Sequence, residues 1–141
     1  MRHDVVEGIA LARVGAQLVG VEMERVLAVL ERPDLTPLPC VPASCKGITL
    51  WQGQAVPVYD LKKALYLPAP EDDKGKEEEV ILVARWRHAL VGLCADEVLR
   101  VIDAPPLDPP TFDSPHVRGE GTIDGKVLYV LDLDSEYPGL A

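Results

Sequence analysis

The chain repeats itself at a constant offset of 72 residues, and this internal duplication restricts the possible folds more than any other feature. Residues 9–61 align without a gap to residues 81–133, with about 17 identical pairs. The identities include residues that fix backbone geometry: Gly20 with Gly92, Pro33 with Pro105, Gly47 with Gly119, Gly53 with Gly125, and Asp60 with Asp132. Because glycine and proline recur where two backbones share a shape, the same structural unit is built twice.

The two copies predict a molecule with two pseudo-symmetric lobes inside a single domain of residues 1–141. We set the repeat units at about 7–67 and 79–137. The residues between them, 68–79, hold few apolar side chains and several turn formers. Such a composition is typical of a solvated connection.

The chain is long and apolar enough to bury a core without metals or disulfides. It has 141 residues, of which 48% are hydrophobic. Charged residues interrupt its apolar stretches, so we expect no membrane insertion, no signal peptide and a cytoplasmic location. The cysteines, Cys40, Cys45 and Cys94, lack metal-site spacing and are expected to be reduced thiols.

The net negative charge of the chain indicates which class of molecule it can bind. The formal net charge is -9 and the isoelectric point is near 4.7. Nucleic-acid and membrane-surface binders concentrate lysine and arginine, so this acidity argues against both. We therefore expect a protein partner and no nucleic acid.

The clearest local pattern is a hairpin in each copy. Residues 54–59 and 126–131 are rich in Val, Leu and Tyr, and each run follows a glycine. Asp124-Gly125 is a strong two-residue turn signal, and Gln52-Gly53 holds the same place in the first copy. The aspartates that end these runs, Asp60 and Asp132, are expected to cap short helical turns.

The sequence of residues 19–30 is compatible with either a helix or a strand. Apolar residues recur there at helical spacing, but β-branched valines and a boundary before Pro33 favour a strand. Four prolines between positions 33 and 42, and five between 105 and 115, predict extended loops. Several short strands joined by such loops are typical of small β-barrels.

Several motifs follow one another in a fixed order along both copies. The first copy contains residues 19–26 (VGVEMERV), the proline-bearing loop 35–42 (LTPLPCVP), residues 46–49 (KGIT) and the most specific run, 53–61 (GQAVPVYDL). In the second copy, residues 90–93 (LVGL), 96–98 (DEV), Arg118-Gly119 and Asp132-Leu133 complete the pattern. The order of these motifs resembles the CheW-like domain family over roughly residues 7–136.

The resemblance implies a mainly β fold of two intertwined five-stranded SH3-like barrels with short helical turns, in which strands can be exchanged between lobes. It further implies a non-catalytic adaptor without cofactors that couples methyl-accepting chemoreceptors to a CheA-type histidine kinase. One lobe would pack against the regulatory domain of the kinase. The groove between the lobes would receive the cytoplasmic tip of the receptor.

The family pattern also implies partner-binding positions. These are Val26, Gly47, Gln52 and Gly53, together with Asp96, Glu97 and Val98 on the seam side of the second lobe. Trp51, beside the hairpin tip, is a further candidate: it is either an exposed anchor for a partner or is turned inward by strand alternation. Many family members carry Asn-Leu-Arg before the hairpin glycine, whereas this chain has Leu50-Trp51-Gln52. Because glutamine cannot replace the bidentate contacts of a guanidinium, this departure leaves open a diverged interaction module for a pilus, motility or other regulatory pathway.

An enzyme is the remaining alternative. Cys94 with His88 is the one nucleophile and base pair to consider, and Asp60 with Asp132 the one carboxylate pair. The duplication assigns ordinary positions to the first pair and a capping role to the second. No nucleotide-binding or metal-binding motif is present in the sequence.

Overall fold

A computed structural model describes residues 8–31, 35–37, 45–61, 80–111 and 116–135. Over these ranges the chain forms ten β-strands and one 3₁₀ turn, Met23–Arg25. The strands are β1 (Gly8–Val14), β2 (Gln17–Glu22), β3 (Val26–Glu31), β4 (Cys45–Trp51), β5 (Gln54–Asp60), β6 (Val80–Trp86), β7 (Ala89–Ala95), β8 (Glu97–Asp103), β9 (Val117–Ile123) and β10 (Lys126–Leu131).

The strands form two five-stranded sheets, and each sheet takes strands from both copies of the repeat. The β1 sheet has the order β8-β1-β2-β10-β9, and the β6 sheet has the order β3-β6-β7-β5-β4. Hairpins pair antiparallel, whereas β2 with β10 and β5 with β7 pair in parallel. These two parallel pairings join strands that lie far apart in sequence.

The predicted fold class, mainly β with two five-stranded halves, is confirmed. Strand pairing among the described residues leaves each sheet open between its edge strands, so the barrels are not closed. A short bridge extends one edge of each sheet: Thr36 pairs with Ile48 on β4, and Asp108 pairs with Glu120 on β9. Thr36 and Asp108 belong to the proline-rich loops, of which the structure describes residues 35–37 and 104–111, and these parts contain no helix, as predicted.

Residues 19–30 are strand, turn and strand rather than helix. β2 ends at Glu22, the 3₁₀ turn reverses the chain, and β3 pairs with β6 from Val26 onward. The turn is where the chain crosses from the β1 sheet to the β6 sheet. The second copy crosses back at Asp96, between β7 and β8. The apolar spacing looked helical because β2 is buried on both faces and hides the period of two.

Three clusters of apolar side chains make up the core. The largest, which we call the seam cluster, draws on β1, β2 and β10 of one sheet and on β6 and β7 of the other, and it contains the fully buried Trp86. Each sheet also has a cluster of its own, centred on Ile9 and Leu11 in the β1 sheet and on Val58 and Ile81 in the β6 sheet. Strands that contact both kinds of cluster need apolar residues on both faces.

The predicted hairpins are confirmed as β4–β5 and β9–β10. Gln52 and Gly53 have φ of 50° and 77°, and Asp124 and Gly125 have φ of 51° and 79°. Positive φ at both central residues is the geometry of the two-residue turns that match strand twist. Asp132 caps a turn as predicted, since its Oδ1 accepts the N–H of Asp134 at 3.0 Å. The helical turn expected after Asp60 lies mostly outside the described residues.

Candidate partner-binding surfaces

The β4–β5 hairpin carries three of the sequence-predicted site residues at its tip. Gln52 and Gly53 are exposed in the turn, and Trp51 is half-buried where β4 pairs with Gln54 of β5. A Cβ at Gly53 would meet no atom within 4 Å, so the residue faces open space. The tip is therefore accessible, and Trp51 beside it is partly exposed.

Gly47 lies in β4 where the proline-rich loop crosses closest to the strand. Its φ is 141°, and a Cβ there would lie 2.5 Å from the carbonyl oxygen of Thr36. Thr36 and Ile48 exchange two backbone hydrogen bonds of 2.8 and 2.9 Å at the same place. Gly47 thus permits the loop to pair with the strand edge, and its first role is structural.

Val26 and Val98 occupy equivalent positions, the first residue of β3 and the second residue of β8. Both are partly buried and pack against the seam cluster. Each stands just after the chain has crossed between the sheets. A partner at the seam between the sheets can reach their exposed part, while their buried part contributes to the core.

Asp96 and Glu97, at the start of β8, bind Arg13 of the neighbouring strand β1. Asp96 Oδ2 accepts a hydrogen bond from the Gly15 N–H at 2.8 Å and another from Arg13 Nη1 at 3.2 Å. Arg13 Nε donates to Glu97 Oε1 at 3.0 Å. The Asp96 side chain is 14% exposed, whereas that of Glu97 is 51% exposed. Asp96 therefore fixes the crossing, and Glu97 is the member of the pair that a partner can touch.

The predicted site residues lie in two separate groups in the structure. Trp51, Gln52 and Gly53 lie at the hairpin tip of the β6 sheet, with Gly47 further along β4. Val26, Asp96, Glu97 and Val98 lie at the two crossings between the sheets.

Exposed apolar side chains on the edge strands were not among the contact residues predicted from the sequence. Leu27 and Val29 point outward from β3, and their repeat equivalents Leu99 and Val101 point outward from β8. Leu50, beside the hairpin tip, is 73% exposed. The signal available was the repetition of the Leu-x-Val pair at an offset of 72, which marks the same outward positions twice.

A groove of about 650 Å³ lies between the two edge strands of the β6 sheet. Its lining includes Val29 and Leu30 of β3, Ile48 and Leu50 of β4, and the carboxylate-bearing Glu31. The groove leads from the outward face of β3 to the β4–β5 hairpin. Apolar groups in this arrangement suit the docking of another protein.

The structure does not bring together the nucleophile and base that the enzyme alternative requires. His88 lies in the turn before β7 and Cys94 near the end of that strand, which places them about 20 Å apart. Cys94 is buried, and Lys46 Nζ lies 3.7 Å from its sulfur. Across the described residues, no three His, Cys, Asp or Glu side chains group as a metal site would require. Nor does that part of the chain contain a helix long and apolar enough to cross a membrane.

Comparison with known proteins agrees with this architecture. A chemotaxis protein CheW from Rhizobium meliloti is 29% identical over 89% of this chain and 84% of its own length, and one from Thermotoga maritima is 28% identical over 86% and 81%. Protein FrzA of Myxococcus xanthus is 36% identical over 68% of this chain and 58% of its own length.

A solved structure has the same fold. The scaffolding protein TtCheW from Thermoanaerobacter tengcongensis superimposes with a TM-score of 0.78 at 25% identity, covering 94% of this chain and 90% of that one. The CheW-like domain model matches residues 8–136, which include every strand of both sheets. The chain therefore belongs to the CheW-like domain family.

Proposed function

We propose that this protein is a chemotaxis coupling adaptor that joins chemoreceptors to a CheA-type histidine kinase. The observation that carries the proposal is the family match over the whole two-sheet body, together with relatives named as chemotaxis and scaffolding proteins. Coupling requires rigid, preformed surfaces rather than reacting groups, and paired sheets around a shared core supply them. We infer that the protein is not an enzyme and acts in the cytoplasm.

We place the regulatory domain of the kinase on the β6 sheet, along the groove and the β4–β5 hairpin. Leu50 and Val29 offer exposed apolar area, and the adjacent Trp51 offers part of an aromatic ring. Partly exposed aromatic and apolar side chains at a rigid edge are common anchors of protein interfaces. Gln52 would contribute hydrogen bonds in place of the arginine that many family members have.

We place the receptor tip at the seam, near the predicted residues Glu97, Val98 and Val26. Their exposed atoms surround the crossings between the sheets, and Glu97 adds a carboxylate that is half exposed. An amphipathic helix could lay an apolar face against the valines there. Because the protein is acidic, salt should weaken its association with a basic partner patch.

A second candidate is an interaction module for a different regulatory pathway. It is favoured by the absent Asn and Arg before Gly53 and by the similarity to FrzA, a relative that carries another name. Binding to the standard kinase surface would then be weak or absent. The same experiment separates the two candidates.

The test is calorimetric titration of the full-length protein with the regulatory domain of its host's CheA-type kinase. We expect micromolar or tighter binding that Leu50→Thr weakens about 5- to 20-fold, because the leucine side chain is removed from water on docking. Threonine is the residue at the repeat-equivalent position, Thr122, so the substitution suits the strand.

The matched control is Val127→Thr on the other hairpin, where the exposed side chain lies outside the proposed surface. Its affinity should equal that of the unaltered protein. Equal affinity of the Leu50→Thr variant would show that the kinase docks elsewhere. Failure of the unaltered protein to bind would favour the second candidate.

A further inference from the structure

The turn that follows β10, residues 132–135, is bound to the other sheet. Two carbonyl groups of the turn accept hydrogen bonds from β6 and the residue after it. The backbone N–H of Arg87 donates to the carbonyl of Leu133 at 2.8 Å, and the indole Nε1–H of Trp86 donates to the carbonyl of Ser135 at 2.9 Å. Trp86 ends β6, whereas the turn continues β10 of the β1 sheet. This turn is therefore one of the contacts that hold the two sheets together.

Seven charged side chains cluster at the same turn. Arg25 binds Asp134 at 2.5 Å, and Arg118 lies 3.2 Å from Glu22, 3.7 Å from Asp132 and 4.0 Å from Asp134. Arg87 Nε donates to the backbone carbonyl of Asp134 at 2.9 Å, and Glu24 adds a repulsive charge near Glu22. We call this set the Glu22 cluster: Glu22, Glu24, Arg25, Arg87, Arg118, Asp132 and Asp134. Its four carboxylates outnumber its three guanidinium groups, so one proton would reduce the repulsion among them.

Glu22 is the buried member of this cluster. The residue is only 9% exposed, and its Oε1 accepts no hydrogen bond among the described residues. Arg118 Nη1 lies close to that oxygen but forms an ion pair without hydrogen-bond geometry. A buried carboxylate oxygen without a hydrogen-bond donor favours the neutral form of the group.

Burial raises the pKa of Glu22 above its ordinary value of 4.5, although Arg118 and Arg25 oppose the rise. Glu24 and Asp134 add to it by repulsion. Because the folded protein holds this proton more tightly than the unfolded chain, the group contributes most to stability at or below pH 4.5. That contribution is lost as the pH rises through the pKa of the folded state.

We propose that Glu22 is a proton-binding switch, and that proton uptake by the Glu22 cluster tightens the 132–135 turn on Trp86. Neutral Glu22 no longer repels Asp134 and no longer competes for Arg118. Arg118 can then move toward Asp132 and Asp134, which hold the turn. The contact between the two sheets thereby depends on pH, a property independent of which partner the adaptor binds.

The test follows hydrogen exchange of the Trp86 indole N–H by NMR in the full-length protein over a pH series. After correction for the intrinsic exchange rate, we expect protection to increase about three- to tenfold on acidification. The change should have the same midpoint as the carbon-13 signal of the Glu22 carboxyl group, above pH 4.5. The Glu22→Gln variant should be protected at every pH. The control Glu31→Gln, which removes an exposed carboxylate outside the cluster, should retain the pH response.

His116 offers the competing explanation, since its ring packs edge-on against Trp86 at 5.8 Å and its Nδ1 lies 3.2 Å from Ser135 Oγ. Glu22→Gln leaves that histidine in place. A pH response that persists in Glu22→Gln would assign the proton to His116 and overturn the proposal. Protection that stays constant in the unaltered protein while the Glu22 carboxyl titrates would overturn it as well.

Discussion

In β4, a residue that a family pattern marks as a partner contact can be needed for the fold itself. Gly47 is one of the predicted contact residues, yet its backbone conformation and the carbonyl of Thr36 leave no room for a side chain. Gly53 is different, because the space around it is open. Loss of partner binding after substitution of Gly47 would therefore not identify a contact.

We expect Gly47→Ala to lower the free energy of unfolding by about 2–4 kcal/mol, since the added Cβ would both strain the backbone and displace the Thr36 bridge. Urea denaturation followed by circular dichroism would measure the loss. Gly8→Ala is the control, because its Cβ would meet no atom within 4 Å and its φ is not positive. A loss no larger than that of the control would show that the loop does not depend on this glycine.

Among the elements, the two crossings between sheets differ although the repeat makes them equivalent. At the second crossing, Asp96 accepts hydrogen bonds from Gly15 and Arg13 of the β1–β2 hairpin. At the first crossing, the equivalent residue Glu24 is exposed and the chain forms a 3₁₀ turn. One crossing is thus fixed by a partly buried carboxylate, and the other by the Arg25–Asp134 ion pair.

Asp96→Ala should cost about 1–3 kcal/mol of stability, because it removes the acceptor of the Gly15 N–H and one of the two carboxylates that bind Arg13. Glu24→Ala is the matched control at the equivalent position and should change stability by less than about 0.5 kcal/mol, as is usual for exposed residues. Thermal unfolding of both variants would test the difference. Equal losses of stability in the two variants would show that the hydrogen bonds of Asp96 do not make the second crossing more stable than the first.

The elements were predictable from the sequence where local chemistry decides them. Two-residue turns need residues that accept positive φ, so Gly53 and Gly125 identified both hairpins. The strands within residues 19–30 could not be predicted in this way. Both faces of β2 are buried by other parts of the chain, and a local sequence pattern does not show this. Asp96 as acceptor for Arg13 and Leu50 as an exposed anchor depend on which distant strands become neighbours, so the sequence left their roles open.

The whole molecule is built by exchange between the two copies of the repeat. β1 and β2 of the first copy complete a sheet with β8, β9 and β10 of the second, and the converse holds for the β6 sheet. The seam cluster then draws side chains from both sheets. Because neither copy contains all the strands of either sheet, we propose that the chain folds as a single cooperative domain.

This exchange predicts how the molecule behaves when the chain is cut in the connection between the copies. Fragments 1–73 and 74–141 should each be largely unfolded alone. The first would expose the parallel edges of β2 and β5, the second would expose those of β10 and β7, and each would expose its half of the seam cluster. Mixed in equal amounts, they should form a one-to-one complex with the circular dichroism of the intact protein and one unfolding transition. Linked copies that each folded independently would instead give a native-like spectrum for either fragment alone, and that result would contradict the exchange.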